Sequence, residues 1–398
     1  MKLSKRGNMI SPSITLEITA KAKKLRESGL NVISFGVGEP DFNTPSNVIE
    51  EAYKAMLEGK TKYTEVAGIK KLREEICKKF KKDNGLDYSI DRVIVSNGAK
   101  QCLFNSFMAI LDDEDEVIVP KPYWVSYPEL IKLSGGVPIY SDSSEKEGFK
   151  YNIKDLESKV TKKTKAIIIN SPNNPTGTIY TKKELLEIAK FCEKYSLIII
   201  SDEIYEKLVY DNEKHISIAS LTDYAYNNTI VINGLSKSSA MTGWRIGYAA
   251  CKDREVIKLM TSIQSHTTSN VNSIAQYAAI EAIKNSKKDL ENMVEEFDSR
   301  RKYMIKRLDS IDSIKYIIPK GAFYVMVNIK DLFGKKINNR LVEDSLSFSK
   351  ELLEEEKVAV IPGVGFGVSD YIRLSYATSK ENIKEGMDRI EEFIKKLV

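Results

Sequence analysis

Along the middle of the chain, apolar and polar positions alternate between two periods. Short runs dense in valine and isoleucine occur at Arg92 to Val95, Glu116 to Val119, Ala166 to Ile169, Leu197 to Ile200, Thr229 to Ile232 and Ile246 to Ala250. Such continuous apolar runs fit strands covered on both faces. Amphipathic stretches of helical period separate them. One opens at Thr181, with Glu184 at the spacing of a capping box, and continues through Leu185, Leu186, Ile188 and Ala189 to Phe191 and Cys192. Another spans Gln101 to Ile110. This alternation predicts an α/β fold built on a parallel sheet flanked by helices.

The C-terminal third changes character. A long charged helical pattern from Asp289 to Leu308 precedes GAFYVMVNI, a further helix, VAVIPG and YIRLSYA, which together read as a smaller α+β domain. Near the N-terminus, VISFGVG reads as a strand and GEPDFNTP as a proline-bounded turn into the next helix. The expected division is a large domain over 46–285 and a small domain over 286–398, joined by an N-terminal segment, 1–45.

Composition narrows the function classes. With 398 residues, 42% of them hydrophobic, the chain can bury a large core. The 61 basic and 56 acidic residues are interspersed, giving a formal net charge of +5. That balance suits solubility rather than nucleic-acid binding. The four cysteines, Cys77, Cys102, Cys192 and Cys251, are far apart and form no CxxC pair, so reduced thiols are expected and no metal site is. No run approaches the roughly 20 apolar residues of a membrane span, and the N-terminus lacks a signal-peptide core. A cytoplasmic protein is expected. Two histidines, His215 and His266, leave few bases for a serine or cysteine triad.

In an open α/β sheet, ligands bind beyond the carboxyl ends of the strands. The residues there are unusually polar: Ser96 to Lys100, Pro120 to Trp124, Asn170 to Gly177, Ser201 to Tyr205 and Asn233 to Lys237. Gly98 and Ala99 stand between a strand and a helix, where small residues let backbone amides approach a phosphate, although a plain turn explains them as well. SPNNPTG is by composition a loop held by two prolines. Asp202 follows four apolar residues, where an isolated carboxylate is costly without a cationic partner. Singly, each admits a structural explanation.

Jointly they carry a resemblance. GEPDFNTP at 38–45, KYTEVAGI at 62–69, SNGAKQ at 96–101, PYWVSYP at 122–128, NSPNNPTG at 170–177, SDEIYE at 201–206, GLSKSSAMTGWRIGY at 234–248, GAFY at 321–324 and YIRLSYATS at 371–379 resemble, in order and spacing, the class I, fold-type I aminotransferases that use pyridoxal 5'-phosphate. The resemblance covers nearly the whole chain. It implies a large cofactor-binding domain with a mostly parallel seven-stranded sheet and a small α+β domain built from both termini.

It also implies roles. Lys237 would carry the cofactor as a Schiff base and then move a proton between the substrate Cα and the cofactor. Asp202 would keep the pyridine nitrogen protonated, which supplies the cationic partner its burial demands. Tyr205 and Asn174 would hydrogen-bond the phenolic oxygen, and Trp124 would stack on the ring. The amides of Gly98, Ala99 and Lys100, with Ser236 and Arg245, would gather the phosphate. Tyr63 resembles the tyrosine that reaches the phosphate of a neighbouring subunit, which implies a homodimer. Arg373 would fork onto the substrate α-carboxylate, helped by the backbone of Gly38. In the bacterial branch that the sequence most resembles, a lysine at the position of Lys100 binds the distal carboxylate, aided by hydroxyls such as Ser13 and Thr15.

The expected reaction is therefore transfer of the amino group of L-aspartate to 2-oxoglutarate. Alternatives within the fold are alanine, aromatic or prephenate aminotransferases and a C–S β-lyase. A cofactor-sensing regulator is disfavoured, since the segment before GEPDF is too short for a DNA-binding domain and shows no basic recognition helix. A dehydrogenase fails for want of G-x-G-x-x-G after any strand.

Overall fold

Seven strands form the central sheet, in the spatial order Val93–Asn97, Ile246–Cys251, Thr229–Gly234, Ile198–Asp202, Thr164–Asn170, Glu116–Pro120 and Val137–Ser141. All run parallel except Ile246–Cys251, which is antiparallel to both neighbours. The computed structural model describes residues 3–398.

Six of these strands coincide with the apolar runs. The seventh, Val137–Ser141, has no such run. It lies at the sheet edge, only its last residue is buried, and Pro138 interrupts its apolar character. An edge position removes the two-sided burial that makes a strand legible.

Successive residues of the inner strands face opposite layers. Val93, Val95 and Val231 pack under helices including Lys70–Lys79 and Ser273–Asn285, whereas Ile94, Ile230 and Ile232 join Leu103, Phe107 and Met260 on the other side. Ile167, Ile169 and Ile199 meet Leu185, Ile188 and Cys192 of the helix Lys182–Tyr195. Each fully buried isoleucine of these layers contributes about 2–3 kcal/mol of apolar burial. The capping box at that helix is present: Thr181 Oγ1 accepts from Glu184 N–H, and Glu184 Oε2 accepts from Thr181 N–H.

The helix Lys287–Leu308 is followed by an antiparallel four-stranded sheet in the order Ile361–Pro362, Tyr371–Ser375, Tyr324–Asn328, Lys315–Tyr316. Near the N-terminus, Ile33–Ser34 pairs in parallel with Val358–Ala359, and Ile33 and Phe35 join the core that contains Phe348, Leu374 and Phe393. The helix Ser46–Leu57 packs instead on Ser273–Asn285. No helix among the described residues is long and apolar enough to cross a membrane. All four cysteines are free thiols.

Candidate active site

A cleft of about 530 Å³ opens beyond the carboxyl ends of the parallel strands; Trp124, Asn174, Asp202, Lys237, Arg245 and Arg373 are among its walls. It has the size expected for a small-molecule site.

Lys237 lies in the four-residue helix Leu235–Ser238, directly after the strand Thr229–Gly234. Its Nζ donates to the Gly38 carbonyl. Burial pushes its pKa down to about 8; Glu39 and Asp202 oppose the shift, while Arg373 and Arg245 reinforce it. The amine is thus far more available in neutral form than an ordinary lysine.

Asp202 ends its strand and is buried. Oδ2 accepts from the Tyr127 hydroxyl at 2.7 Å, and Oδ1 accepts from Ile204 N–H at 3.3 Å. Burial raises its pKa to about 6 even though both hydrogen bonds act to lower it. Among the described residues no lysine or arginine makes an ion pair with it. The protein supports this carboxylate mainly with hydrogen bonds, and Lys237 adds a weaker electrostatic pull.

Arg373, on Tyr371–Ser375, is almost wholly buried. It donates from Nη1 to Asn174 Oδ1 at 3.0 Å and from Nη2 to the Gly36 carbonyl at 3.2 Å. Its guanidinium lies 4.2 Å from the Tyr324 ring centroid and 5.1 Å from that of Phe366. Nε is buried without a hydrogen-bond partner. Asn174 is fixed in turn by its N–H on Asn170 Oδ1 at 2.9 Å, and Asn170 Nδ2 reaches the Asp202 carbonyl at 3.0 Å. Tyr205 and Tyr324 share a 3.0 Å hydrogen bond between their hydroxyls, and burial raises the pKa of both.

The turn before the helix Ala99–Ile110 is shaped by close contact. Gly98 adopts φ +81°, and a Cβ there would stand 2.4 Å from Arg245 Nη2; a Cβ on Gly247 would stand 2.2 Å from Ala99 N. Arg245 itself has φ +57° and donates to the carbonyls of Thr242 at 2.8 Å and Asn97 at 3.2 Å. The Ala99 and Lys100 amides begin a helix, so they have no preceding turn to bond to. With Arg245 and Ser236 on the cleft wall they form an anion cup. Lys100 Nζ stands 5.0 Å from the Trp124 ring, and burial, then Arg245, lower its pKa. Trp124 meets Tyr127 edge to face at 5.3 Å.

A family model described as aminotransferase class I and II matches residues 31–390. The chain belongs to that family. It is 48% identical to the aspartate aminotransferase of Bacillus subtilis (strain 168), over 100% of both chains. It is 46% identical to a probable aspartate/prephenate aminotransferase of Aquifex aeolicus, over 99% of each. Among solved structures, the aspartate aminotransferase of Rhizobium meliloti superposes with a TM-score of 0.96 at 37% identity and 100% coverage of both chains. That of Thermus thermophilus with maleate gives 0.93 at 40%, covering 98% of this chain and 99% of that one.

Aminotransferases of this family depend on pyridoxal 5'-phosphate, and the chemistry of the cleft fits it. The same cleft holds the Ala99 and Lys100 amides with Ser236 and Arg245, a buried carboxylate that forms no ion pair among the described residues, and an amine of lowered pKa.

Of the residues singled out from sequence, Ala99, Lys100, Trp124, Asn174, Asp202, Tyr205, Ser236, Lys237, Arg245, Arg373, Gly38 and Thr15 line this one cleft. Gly98 abuts Arg245 from just outside it. Ser13 reaches the site through Thr15, their hydroxyls being 2.8 Å apart. Tyr63 does not enter this cleft and is 90% exposed. Sequence reasoning gave no role to Tyr127, Tyr324, Phe366 or Asn170. Trp124 precedes the helix Ser126–Leu133 on which Tyr127 lies, so helical spacing gave no signal for their contact.

Proposed function

We propose that this aminotransferase moves the amino group of L-aspartate to 2-oxoglutarate, giving oxaloacetate and L-glutamate, in two half-reactions at the cleft. The carrying observation is that, besides Arg26, Lys237 and Arg245, the cleft holds two further cations: the buried Arg373 guanidinium and the Lys100 ammonium beside Trp124. A dicarboxylate uses both, whereas alanine or an aromatic amino acid leaves the second unmatched. The names of the Bacillus and Geobacillus relatives, and a Thermus relative solved with the dicarboxylate maleate, support this choice. A second reading adds prephenate, itself a dicarboxylate, because relatives such as that of Aquifex aeolicus carry that name.

When bound, pyridoxal 5'-phosphate supplies a ring that accepts the electron pair left on the substrate carbon. The remaining work belongs to the chain. Lys237 Nζ, an amine of lowered pKa, would hold the cofactor and would carry the proton at the substrate Cα. Asp202 would keep a proton on the ring nitrogen, Tyr205 and Asn174 would hydrogen-bond the phenolic oxygen, and Trp124 would cover the ring face. The amides of Ala99 and Lys100, with Ser236 and Arg245, would hold the phosphate; the Gly98 N–H expected to join them instead donates to the Ser96 carbonyl at 2.7 Å. Arg373 and the Gly38 backbone orient the α-carboxylate, and Lys100, Ser13 and Thr15 take the distal one.

The protein acts as a homodimer in this reading, with Tyr63 reaching the phosphate in a second copy. The exposed apolar side chains Tyr53, Met56 and Leu57, close to Tyr63 in the chain, support an interface there. Segment 1–45 joins residues 286–398 as a small domain that closes on the large domain, 46–285. The core shared by Ile33 and Phe35 with the C-terminal strands supports that division. Free cysteines and the absence of a membrane-length apolar helix among the described residues accord with the cytoplasm.

An absorbance spectrum of purified protein tests the proposal. A yellow band that bleaches with L-aspartate and returns with 2-oxoglutarate is expected. A band indifferent to aspartate but responsive to alanine, phenylalanine or cystathionine would move the assignment within the family.

A further inference from the structure

Two glutamines without exposed surface anchor the Tyr63 segment, and one of them ties it to the strand that leads into the cup of its own subunit. Gln264, on the helix Arg254–Thr267, accepts from Ser96 Oγ at 2.6 Å and Asn105 Nδ2 at 3.0 Å. Its Nε2 donates to the carbonyls of Val66 at 2.8 Å and Val95 at 2.9 Å. That amide is saturated, with two bonds accepted and two donated. Gln276, on Ser273–Asn285, accepts from Ile69 N–H at 2.8 Å and donates to Thr64 Oγ1 at 3.1 Å. Val95 N–H adds a bond to the Ala67 carbonyl at 2.9 Å.

Val95 and Ser96 belong to the strand that runs directly into the cup at Asn97 to Lys100, while Thr64, Val66 and Ala67 follow Tyr63 in its segment. One buried amide therefore bonds to both. The segment also lies close on the strand: at Gly68, φ +101°, a Cβ would come within 2.7 Å of Val95 Cγ2. So much anchoring holds in place a tip whose tyrosine projects into solvent. A dry amide cannot give up one of its bonds without leaving a buried polar group unmet, so displacements of Ser96 and Val66 are linked.

We propose that Gln264 is a positioning residue for the partner's cofactor site. It fixes the Tyr63 segment relative to its own subunit's cup, and through it the two clefts of the dimer are coupled. This rests on the dimeric reading above, in which Tyr63 completes the phosphate site of a second copy. Each Gln264 then touches the strand that leads into the cup of one cleft and the arm that completes the other.

Heterodimers test it. One subunit carries Lys237→Ala together with Gln264→Met and the other is unaltered, so the unaltered cleft keeps its own cup but receives Tyr63 from the substituted subunit. The dissociation constant for pyridoxal 5'-phosphate at the unaltered cleft, read from absorbance and fluorescence titration, is expected to rise roughly tenfold over a heterodimer bearing Lys237→Ala alone. Tyr63→Phe in place of Gln264→Met is expected to act likewise. If Gln264→Met folds poorly, Ser96→Ala removes one of the two bonds at the strand end of the link, leaving the one to Val95, and is expected to weaken binding in trans several-fold. Unchanged affinity in trans with the Gln264 or Ser96 substitution, while Tyr63→Phe still weakens it, overturns the inference and leaves the dimer standing. Unchanged affinity with Tyr63→Phe as well, or a parent protein that sediments as a monomer, overturns both.

Discussion

The Tyr127 hydroxyl donates a 2.7 Å hydrogen bond to Asp202 Oδ2, and both side chains are buried beside the cleft. Burial alone would push this carboxylate further toward its neutral form, and the tyrosine counteracts that. Tyr127 also meets Trp124 edge to face at 5.3 Å, so one residue braces both the Trp124 ring and the carboxylate.

Folding raises the Asp202 pKa from 3.8 to about 6. For the cofactor-free protein, the stability linked to this group is complete below the unfolded value and is lost as pH rises through about 6. Cofactor affinity runs the other way, because only the ionised carboxylate balances a protonated ring nitrogen. Affinity is expected to increase as pH rises through about 6. Tyr127→Phe is expected to move that increase to higher pH and to weaken binding about tenfold at pH 7. Titrations across pH check this, and a profile identical to the parent's would show that Tyr127 is only packing.

Arg373 and Lys100 should separate by substrate. Arg373→Lys loses the planar fork and is expected to lower kcat/KM for every amino acid by roughly 100-fold. Lys100→Met is expected to lower kcat/KM for aspartate by about tenfold or more while leaving alanine nearly unchanged. Steady-state kinetics on both substrates decide. An equal loss on aspartate and alanine, with weaker cofactor retention, would place Lys100 at the phosphate.

The Lys237 pKa falls from 10.5 to about 8 on folding. Its contribution to stability is therefore complete above the unfolded value and is lost as pH falls through about 8. Lys237→Met is expected to stabilise the cofactor-free protein by on the order of 1 kcal/mol at pH 7, allowing for water in the cleft, with the difference vanishing above the unfolded value of 10.5. Thermal melts of the two cofactor-free proteins across this range provide the measurement.

Gly247→Ala would place a methyl 2.2 Å from Ala99 N and 2.3 Å from Gly98 C, atoms of the cup's own backbone. Neither can swing aside as a side chain would. The variant is expected to lose cofactor affinity by at least about tenfold and stability by roughly 1–3 kcal/mol. Equilibrium dialysis and denaturant melts check the two losses; normal cofactor retention would mean that the cup does not hold the phosphate.

Much of the site was legible because its residues sit at turns directly after buried strands. In an α/β sheet those turns share one edge, so Asn170, Asp202 and Lys237 had to converge once their strands were parallel neighbours. Val137–Ser141 was not legible, since an edge strand with a proline and only one buried residue leaves no apolar run. The partners of Asp202 were also hidden. Burial after four apolar residues says that a carboxylate needs support, but it does not say that a tyrosine 75 positions away provides it.

The sequence by itself determined the strand and helix periods, the helix cap at Thr181 and Glu184, and the chemistry-bearing residues at the strand ends, because these follow from local spacing and side-chain type. Only the tertiary structure decided that Tyr127 braces Asp202, that Arg373 packs against Tyr324 and Asn174, and that Gln264 bonds to both the strand that leads into the cup and the Tyr63 segment. Those contacts join residues far apart in the chain, and their partners are selected by which layers pack together once the sheet is assembled.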